Sequence, residues 1–275
     1  MADPRIAVVI PCFNDGETLR ETLASIEEAE PIELVVVNDG SDDPETLSVL
    51  AELEAAGTRV LHQENRGLAA ARMAGVAATS APYVSALDSD DLDAPGALAA
   101  LADALDADPN VAVVWGDVRN FGDNTVLRRL GRMLDPWLIT YVNELPADAM
   151  MRREALAATA GWELKGGYED WDLWMAFAEQ GFRGRHVPVL TGYYRVRSTR
   201  MLGETQQRHG AQFGLLRSRH PKLFANRPAN KRRSAAPLRC KLLFPLIEAL
   251  PVAEYTKQRL FRAVNGPGAA LRARL

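Results

Sequence analysis

Five short runs rich in Val and Ile set the tightest limit on how this chain can fold: RIAVVI (5–10), IELVVV (32–37), TRVLH (58–62), YVSAL (83–87) and VAVVW (111–115). Segments of helical composition and spacing lie between them, at 17–29, 43–56, 67–79 and 95–107. Runs that are apolar almost throughout, alternating with helices, read as strands buried on both faces of a mostly parallel sheet. The expected class is α/β, with helices flanking that sheet. Right-handed crossovers would place the loops after consecutive strands along one edge, where open α/β sheets bind ligands. Helix entries are marked: Asp42 with Glu45 reads as a capping box, and Pro95 suits a first helical turn after Asp93. At 275 residues the chain is long enough to bury a large core.

Farther along, EDWDLWMAFAEQG reads as a helix ended by Gly181. Trp171, Trp174, Met175 and Ala178 follow i, i+3, i+4, i+7 as its buried stripe. Two strand-like pieces follow, RHVPVL and GYYRVR, while 116–165 is less periodic. From 206 onward the pattern is helical, joined by NRPANKRRSAAP, a basic, Pro-containing linker.

Charge divides the chain near the same point. The net charge of -4 conceals fifteen Lys or Arg against only Glu248 and Glu254 from residue 206 onward. Residues 1–205 hold the other seventeen cations against thirty-four acids. Two parts are therefore expected, an acidic body over 1–205 and a basic helical extension over 206–275. Cys12 and Cys240 form neither a disulfide framework nor a zinc spacing, which fits a reducing, cytoplasmic compartment. The opening MADPRIAVVI has no apolar stretch of signal-peptide or membrane-spanning length.

Four polar stretches fall at the expected strand ends: IPCFNDGETL, VNDGSDD, QENRGLAAARMAG and LDSDD. Taken singly, each has a plain explanation. Asp39-Gly40 is a turn signal. Asp91 and Asp93 precede a helix, whose amino end favours negative charge. Glu169 and Asp170 at a helix start are ordinary caps. In their order and placement the stretches resemble the inverting family 2 glycosyltransferases, which have a nucleotide-sugar-binding α/β fold called GT-A. The resemblance runs from VVIPCFNDGETLRETLASI through VVVNDGSDD, NRGLAAARMAG and LDSDD to GGYEDWDLWMAFAEQG and YYRVR, about residues 5 to 200.

That resemblance implies a donor site. Pro11, Cys12 and Phe13 would lie against base and ribose, with Phe13 as the stacking ring. Asp39 would bond the uracil ring, since a carboxylate facing an imide N–H distinguishes uracil from cytosine. Arg66 and Arg72 are both candidates for the base or the diphosphate. Asp88-Ser89-Asp90 matches the family's Asp-x-Asp motif, and alternate residues of an extended segment point the same way. Two carboxylates and a diphosphate suit Mg²⁺ or Mn²⁺, with water completing the shell. Asp90 would hold the metal directly, and Asp88 would contact ribose or metal, directly or through water. The catalytic base falls in the ED motif, at Asp170 with Glu169 as second candidate, while Asp172 supports the helix start. Inverting transfer needs one carboxylate to take the acceptor proton as the oxygen attacks the anomeric carbon.

One departure stands out. Many members carry a histidine in Y-R-x-H, where this chain has Tyr194-Arg195-Val196-Arg197. Arg cannot ligate a cation, but the fixed charge of Arg197 can act on the diphosphate. The Gln-x-x-Arg-Trp motif and membrane spans of processive synthases are missing, so transfer of a single sugar is expected. The donor would be a UDP-sugar or similar. The acceptor would be a saccharide, lipid-linked or small molecule, in cell-surface polysaccharide or glycoconjugate synthesis. A non-catalytic nucleotide-sugar-binding relative is the competing expectation, and the intact EDWD favours the enzyme. No G-x-G-x-x-G follows the first strand, which argues against a dinucleotide-dependent dehydrogenase.

The basic extension is read in two ways, as an appendage packed on the body or as an attachment to an anionic membrane surface. LRCKLLFPLIEALPVAEYTKQRLFRAV mixes apolar and cationic residues as interfacial segments do. Pro245 and Pro251 are expected to break it, so that no helix here spans a bilayer. No nucleic-acid recognition motif accompanies the charge, and no nucleic acid is expected as a partner. The chain is placed in the cytoplasm, peripheral on the inner face of the cell membrane.

Overall fold

A computed structural model of the chain describes residues 3–128, 130–196 and 202–266, with the backbone alone over 202–207. The expected strands form as β1 (Ile6–Cys12), β2 (Glu33–Asp39), β3 (Val60–Gln63), β4 (Tyr83–Ala86) and, after a short β5 (Leu92–Asp93), β6 (Val111–Gly122). The helices among them are α1 (Gly16–Ala24), α2 (Pro44–Ala55), α3 (Leu68–Ala77) and α4 (Ala97–Asp106). Beyond β6 come β7 (Leu127–Arg128), β8 (Met150–Arg152), α5 (Arg153–Ala157), α6 (Glu169–Glu179) and β9 (Arg183–Val196).

All seven residues of β1 are buried, and their two-residue period supplies both faces of the sheet. Ile6, Val8 and Ile10 join one core layer with Leu19, Leu50, Leu101 and Leu105. Ala7 and Val9 join the other, with Val35, Val37, Trp174 and Phe177. Each fully buried Val or Ile is worth roughly 1.5–3 kcal/mol, so β1 anchors the sheet that carries the site.

The sheet is mixed, not mostly parallel. Its order is β3-β2-β1-β4-β8-β6-β9-β5, with β7 beside β6. Four pairings are parallel (β1 with β2, β1 with β4, β2 with β3, β6 with β9), and the other four are antiparallel. The difference begins at β8. Its three residues are too few to show a pattern in sequence, yet they wedge between β4 and β6 and run against both. RHVPVL and GYYRVR are one strand, β9, whose register against β6 slips between Trp115 and Val118. That bulge absorbs Pro188, which has no N–H for the ladder.

Two helix entries also differ from expectation. Asp43, not Asp42, caps α2, because Pro44 fixes the first helical position after it. Its Oδ2 accepts from Thr46 N (2.8 Å) and Thr46 Oγ1 (2.7 Å), while Asp42 Oδ1 accepts from Asn14. Asp93 is not a cap at all. It pairs with Gly192 of β9, and burial first, then the charge of Asp148, pushes its carboxyl up to about 8. Helix α4 starts later, at Ala97, behind Gly96.

The basic region folds as α7 (Leu202–Arg219), α8 (Pro221–Ala225), α9 (Arg227–Arg233), α10 (Leu238–Glu248) and α11 (Glu254–Asn265). Most of the expected linker is thus helix α9, and Pro245 sits inside α10 instead of ending it. These helices pack on the body. Phe244 lies 5.7 Å from the Trp137 ring and 5.0 Å from Tyr141, and Phe261 lies 5.1 Å from Tyr141. Arg227 donates to Thr140 Oγ1 (2.8 Å) and Thr140 O (2.7 Å). Among the described residues no helix is long and apolar enough to cross a membrane.

Candidate active site

The loops after β1, β2, β3 and β4 lie along one edge because these strands run parallel. Helix α3 packs tightly on β1 and β2 through Gly75, where a Cβ would stand 2.2 Å from Val9 Cγ1. Arg72 lies three residues earlier on the same helical face and is carried into the interior, with none of its surface exposed. Its Nη2 donates to Asp88 Oδ1 (2.7 Å) and its Nη1 to Asp170 Oδ1 (2.7 Å), with Glu169 Oε1 at 3.7 Å. One guanidinium thereby joins the Asp-x-Asp segment after β4 to the start of α6. Trp162 Nε1 donates to the same Asp170 Oδ1 (3.0 Å), and the Arg72 guanidinium lies over the Trp162 ring.

The electrostatics follow from this burial. Desolvation works against the Arg72 cation, but Asp170, Asp88 and Glu169 outweigh it and hold its pKa above the ordinary value. Burial, then the neighbouring Asp170 charge, pushes Glu169 up to about 7, with Arg72 pulling the other way. Asp170 is likewise raised, by burial first, against the pull of Arg72. These carboxyls are poised closer to neutrality than free ones, a condition that recurs where proton transfer is needed.

The remaining expected donor residues divide. Pro11 and Cys12 are buried within β1, and burial pushes the Cys12 thiol up to about 11, which keeps it protonated. Phe13, the next residue, is 46% exposed at the strand's end. Asp39 is buried and accepts from Gln63 Nε2 (2.6 Å), Arg66 N (2.9 Å) and Gly67 N (2.8 Å). Its carboxylate shapes the 63–67 loop. Gly40 is required beside it, since a Cβ would come 2.6 Å from Asn65 N. Arg66 is exposed, so Arg72 is the arginine of this pair that enters the interior.

Around the acidic loop, Ser89 is buried and donates to Asp15 Oδ2 (3.2 Å), while its carbonyl accepts from Thr22. Arg195 clamps the loop. Its backbone N–H donates to Asp91 Oδ1 (2.8 Å), its Nε to Asp90 O (2.7 Å) and its Nη2 to Glu21 Oε2 (2.6 Å). Burial, reinforced by Asp88, raises the Asp91 pKa well above the ordinary value. Beside the loop opens a cleft of about 150 Å³ lined by Asp88, Asp91, Arg128, Asp148, Tyr193 and Tyr194. Asp148 was not singled out from sequence; burial holds its carboxyl at about 6. Arg197 lies outside the described residues. Among the described residues no three His, Cys, Asp or Glu side chains converge as a metal cage.

A tight turn presents Glu169 and Asp170. Gly166, Gly167 and Tyr168 all have positive φ, 82°, 103° and 67°, and Tyr168 is not a glycine. Helix α7 of the basic region holds the turn: Tyr168 Oη pairs with His209 Nδ1 at 2.6 Å, and Gln212 Nε2 donates to Gly166 O (3.1 Å). Asp172 supports the start of α6 by accepting from Arg219 Nε (2.7 Å), with His220 Nε2 at 3.0 Å. Sequence reading missed Trp162, Arg195, Tyr168 and His209. Only Tyr168 and Arg195 stood within the family motifs, and nothing local marked Trp162 or His209.

A mixed α/β sheet with carboxylates and a buried arginine gathered at its strand ends has the architecture of the GT-A fold. The Glycosyl transferase family 2 sequence family matches residues 7–202, and the chain belongs to that family. It is 41% identical over 95 residues to glycosyltransferase GlyA of Streptococcus pneumoniae, a match covering 33% of this chain and 14% of that protein. It is 35% identical over 99 residues to the succinoglycan biosynthesis protein ExoU of Rhizobium meliloti, covering 35% of this chain and 29% of that protein. The chain thus spans less than a third of either relative. Among solved structures, it is similar to S. aureus TarS 1–349 in complex with UDP-GlcNAc, with a TM-score of 0.58 and 17% identity over 94% of this chain and 71% of the other. It is also similar to mannosyltransferase PcManGT of Pyrobaculum calidifontis in complex with GDP-Man and Mn²⁺. The TM-score there is 0.60 and the identity 20%, over 97% of this chain and 86% of the other. At these identities the structural likeness concerns the fold.

Proposed function

We propose that the chain is an inverting, metal-assisted, non-processive glycosyltransferase that moves one sugar from a nucleotide-diphosphate donor to an acceptor hydroxyl. The observation that carries this reading is the Arg72 bridge, which holds the Asp-x-Asp segment and the ED motif on one buried cation. The loop assigned to the donor and the assigned base are thereby held relative to each other before either substrate arrives, as positioning for attack requires. The exposed Phe13 ring supports a stacked base, and the UDP-GlcNAc and GDP-mannose complexes of the two fold relatives support a nucleotide-sugar donor, here assigned as a UDP-sugar.

In this mechanism Asp170 is the base. Both of its described hydrogen bonds fall on Oδ1, so Oδ2 is the oxygen assigned to take the acceptor proton. The acceptor oxygen then bonds to the anomeric carbon from the face opposite the diphosphate, whose C–O bond breaks, and the nucleoside diphosphate leaves. Glu169, whose pKa burial raises to about 7, is protonated in a large share of molecules near neutrality, and in that form it is assigned to donate a hydrogen bond to an acceptor hydroxyl. The cleft beside Asp88 and Asp148 is the assigned sugar subsite.

The acidic loop fits a divalent cation, because Asp88, Asp90 and Asp91 crowd hard carboxylate oxygens into four residues. Burial, reinforced by the charge of Asp88, raises the Asp91 pKa, a strain that a cation would relieve. A cation sharing one or two carboxylates with substrate phosphates needs no cage of three protein ligands. Asp90 and Asp88 are the residues that would hold Mg²⁺ or Mn²⁺, which supplies charge stabilisation for the departing diphosphate. Catalysis is assigned to 1–205, with 206–275 as its extension. The assigned placement is cytoplasmic, peripheral on the inner membrane face, with a saccharide, lipid-linked or small-molecule acceptor in glycan synthesis.

A thermal-shift screen of nucleotide sugars with and without Mn²⁺ tests the donor, since ligands of the folded state raise apparent stability. Transfer by the wild type should fall about 10²–10⁴-fold in Asp170→Asn with the donor shift retained. Transfer that survives the substitution removes the assigned base, and binding without turnover across a donor and acceptor panel removes the enzyme.

A further inference from the structure

Helix α10 carries two unlike stripes. Cys240, Phe244 and Ile247 are buried in a cluster with Trp137, Tyr141 and Phe261. On the opposite side Leu238, Leu242 and Leu246, spaced four apart, are 71%, 60% and 63% exposed. Leu250 and Val252 extend this surface beyond the helix end. A contiguous leucine ridge facing water marks an interaction site, whereas scattered exposed leucines would not.

Its surroundings are basic. Arg239 and Lys241 border the ridge, and Arg232, Arg233, Arg259 and Arg262 are exposed on α9 and α11. From 208 to 266 thirteen Lys or Arg stand against Glu248 and Glu254 alone. Both acids are already paired, Glu248 with Arg227 and Glu254 with Lys257. A second copy of this face would bring like charges together, so self-association is disfavoured. An anionic bilayer offers both what the leucines lack and what the cations attract.

We propose that α10 is a membrane-docking helix that lies in the plane of an anionic bilayer, with Leu238, Leu242 and Leu246 at the acyl boundary and the flanking cations at the headgroups. This rests on the proposed membrane placement and gives it a face. At 11 residues α10 is too short to span, which suits a helix lying in the surface. The docked helix packs on α11, which in turn meets α7, whose His209 holds the Tyr168 turn. Docking would therefore orient the ED motif relative to lipid-linked acceptors.

The test is co-sedimentation of the full chain with phosphatidylcholine vesicles, with and without phosphatidylglycerol. The wild type should bind only the anionic vesicles, less so at high salt. Leu242→Gln with Leu246→Gln should weaken that binding by about tenfold or more, given the value of burying leucine. Leu238→Gln alone should give a smaller loss, and all variants should keep the wild-type melting temperature. Anionic-vesicle binding unchanged in both variants overturns the docking face while the membrane placement stands. A wild type that binds neither vesicle overturns both. A wild-type dimer dissolved by the double substitution overturns the proposal in favour of self-association.

Discussion

Replacing Arg72 with methionine removes the charge that three carboxylates share while keeping most of the side chain's volume. The guanidinium is fully buried and bonded at 2.7 Å to both Asp88 and Asp170. Breaking such a buried pair by deleting one partner costs about 3–5 kcal/mol, because the remaining charges lose their compensation. The cost should depend on pH, and its sign is set by Glu169. Its folded pKa of about 7 exceeds the ordinary 4.5, so the folded state binds more protons across that window. Stability therefore falls as pH rises from about 4.5 to 7, and is highest below it. Arg72 lowers both Glu169 and Asp170, so its removal raises them further and extends the decline above pH 7. Urea unfolding of Arg72→Met should show a penalty of about 3–5 kcal/mol near pH 8 that shrinks to about 1–2 kcal/mol near pH 5. A penalty below about 1 kcal/mol, or one that does not vary with pH, refutes the bridge as the electrostatic centre of the site. Arg72→Lys should also fail, since an ammonium cannot span two carboxylates as a planar fork does.

Two further outcomes follow from the same geometry. Phe13→Ala removes a ring that is 46% exposed, so it should leave folding stability nearly unchanged while weakening nucleotide binding by about 1–3 kcal/mol, read by titration calorimetry. Tyr168→Phe loses only the contact to His209, costs about 1 kcal/mol in unfolding, and should lower kcat more than it raises KM for the donor. An unchanged kcat would separate the turn from the chemistry.

The first half of the fold was legible because β1, β2 and β4 advertise burial on both faces by near-continuous apolar runs. The mixed sheet was not. Three-residue β8 has too little length for a period, and the two pieces of β9 looked separate because Pro188 interrupts the pattern that a bulge restores. Asp42 and Asp93 misled for a related reason: local capping rules cannot see that Pro44 shifts the cap by one, or that β9 recruits Leu92 and Asp93 into the sheet. The α6 stripe of Trp171, Trp174, Met175 and Ala178 is buried as its spacing required.

At the site, residue types were legible but partners were not. Arg66 and Arg72 are indistinguishable as letters; the choice is made by Gly75, whose missing side chain lets α3 press against Val9 and turns Arg72 inward. The charge division near 205 falls inside α7 (Leu202–Arg219), and that helix bonds Gly166, Tyr168 and Asp172, the three points that fix the ED turn. A basic region can thus serve two ends at once. Its inner faces spend His209 and Arg219 on holding a turn in which Tyr168, unlike the two glycines before it, adopts a positive φ at a cost. Its outer face leaves Leu238, Leu242 and Leu246 exposed among cations, and an anionic bilayer is the surface that would bury the leucines while keeping those charges at its headgroups.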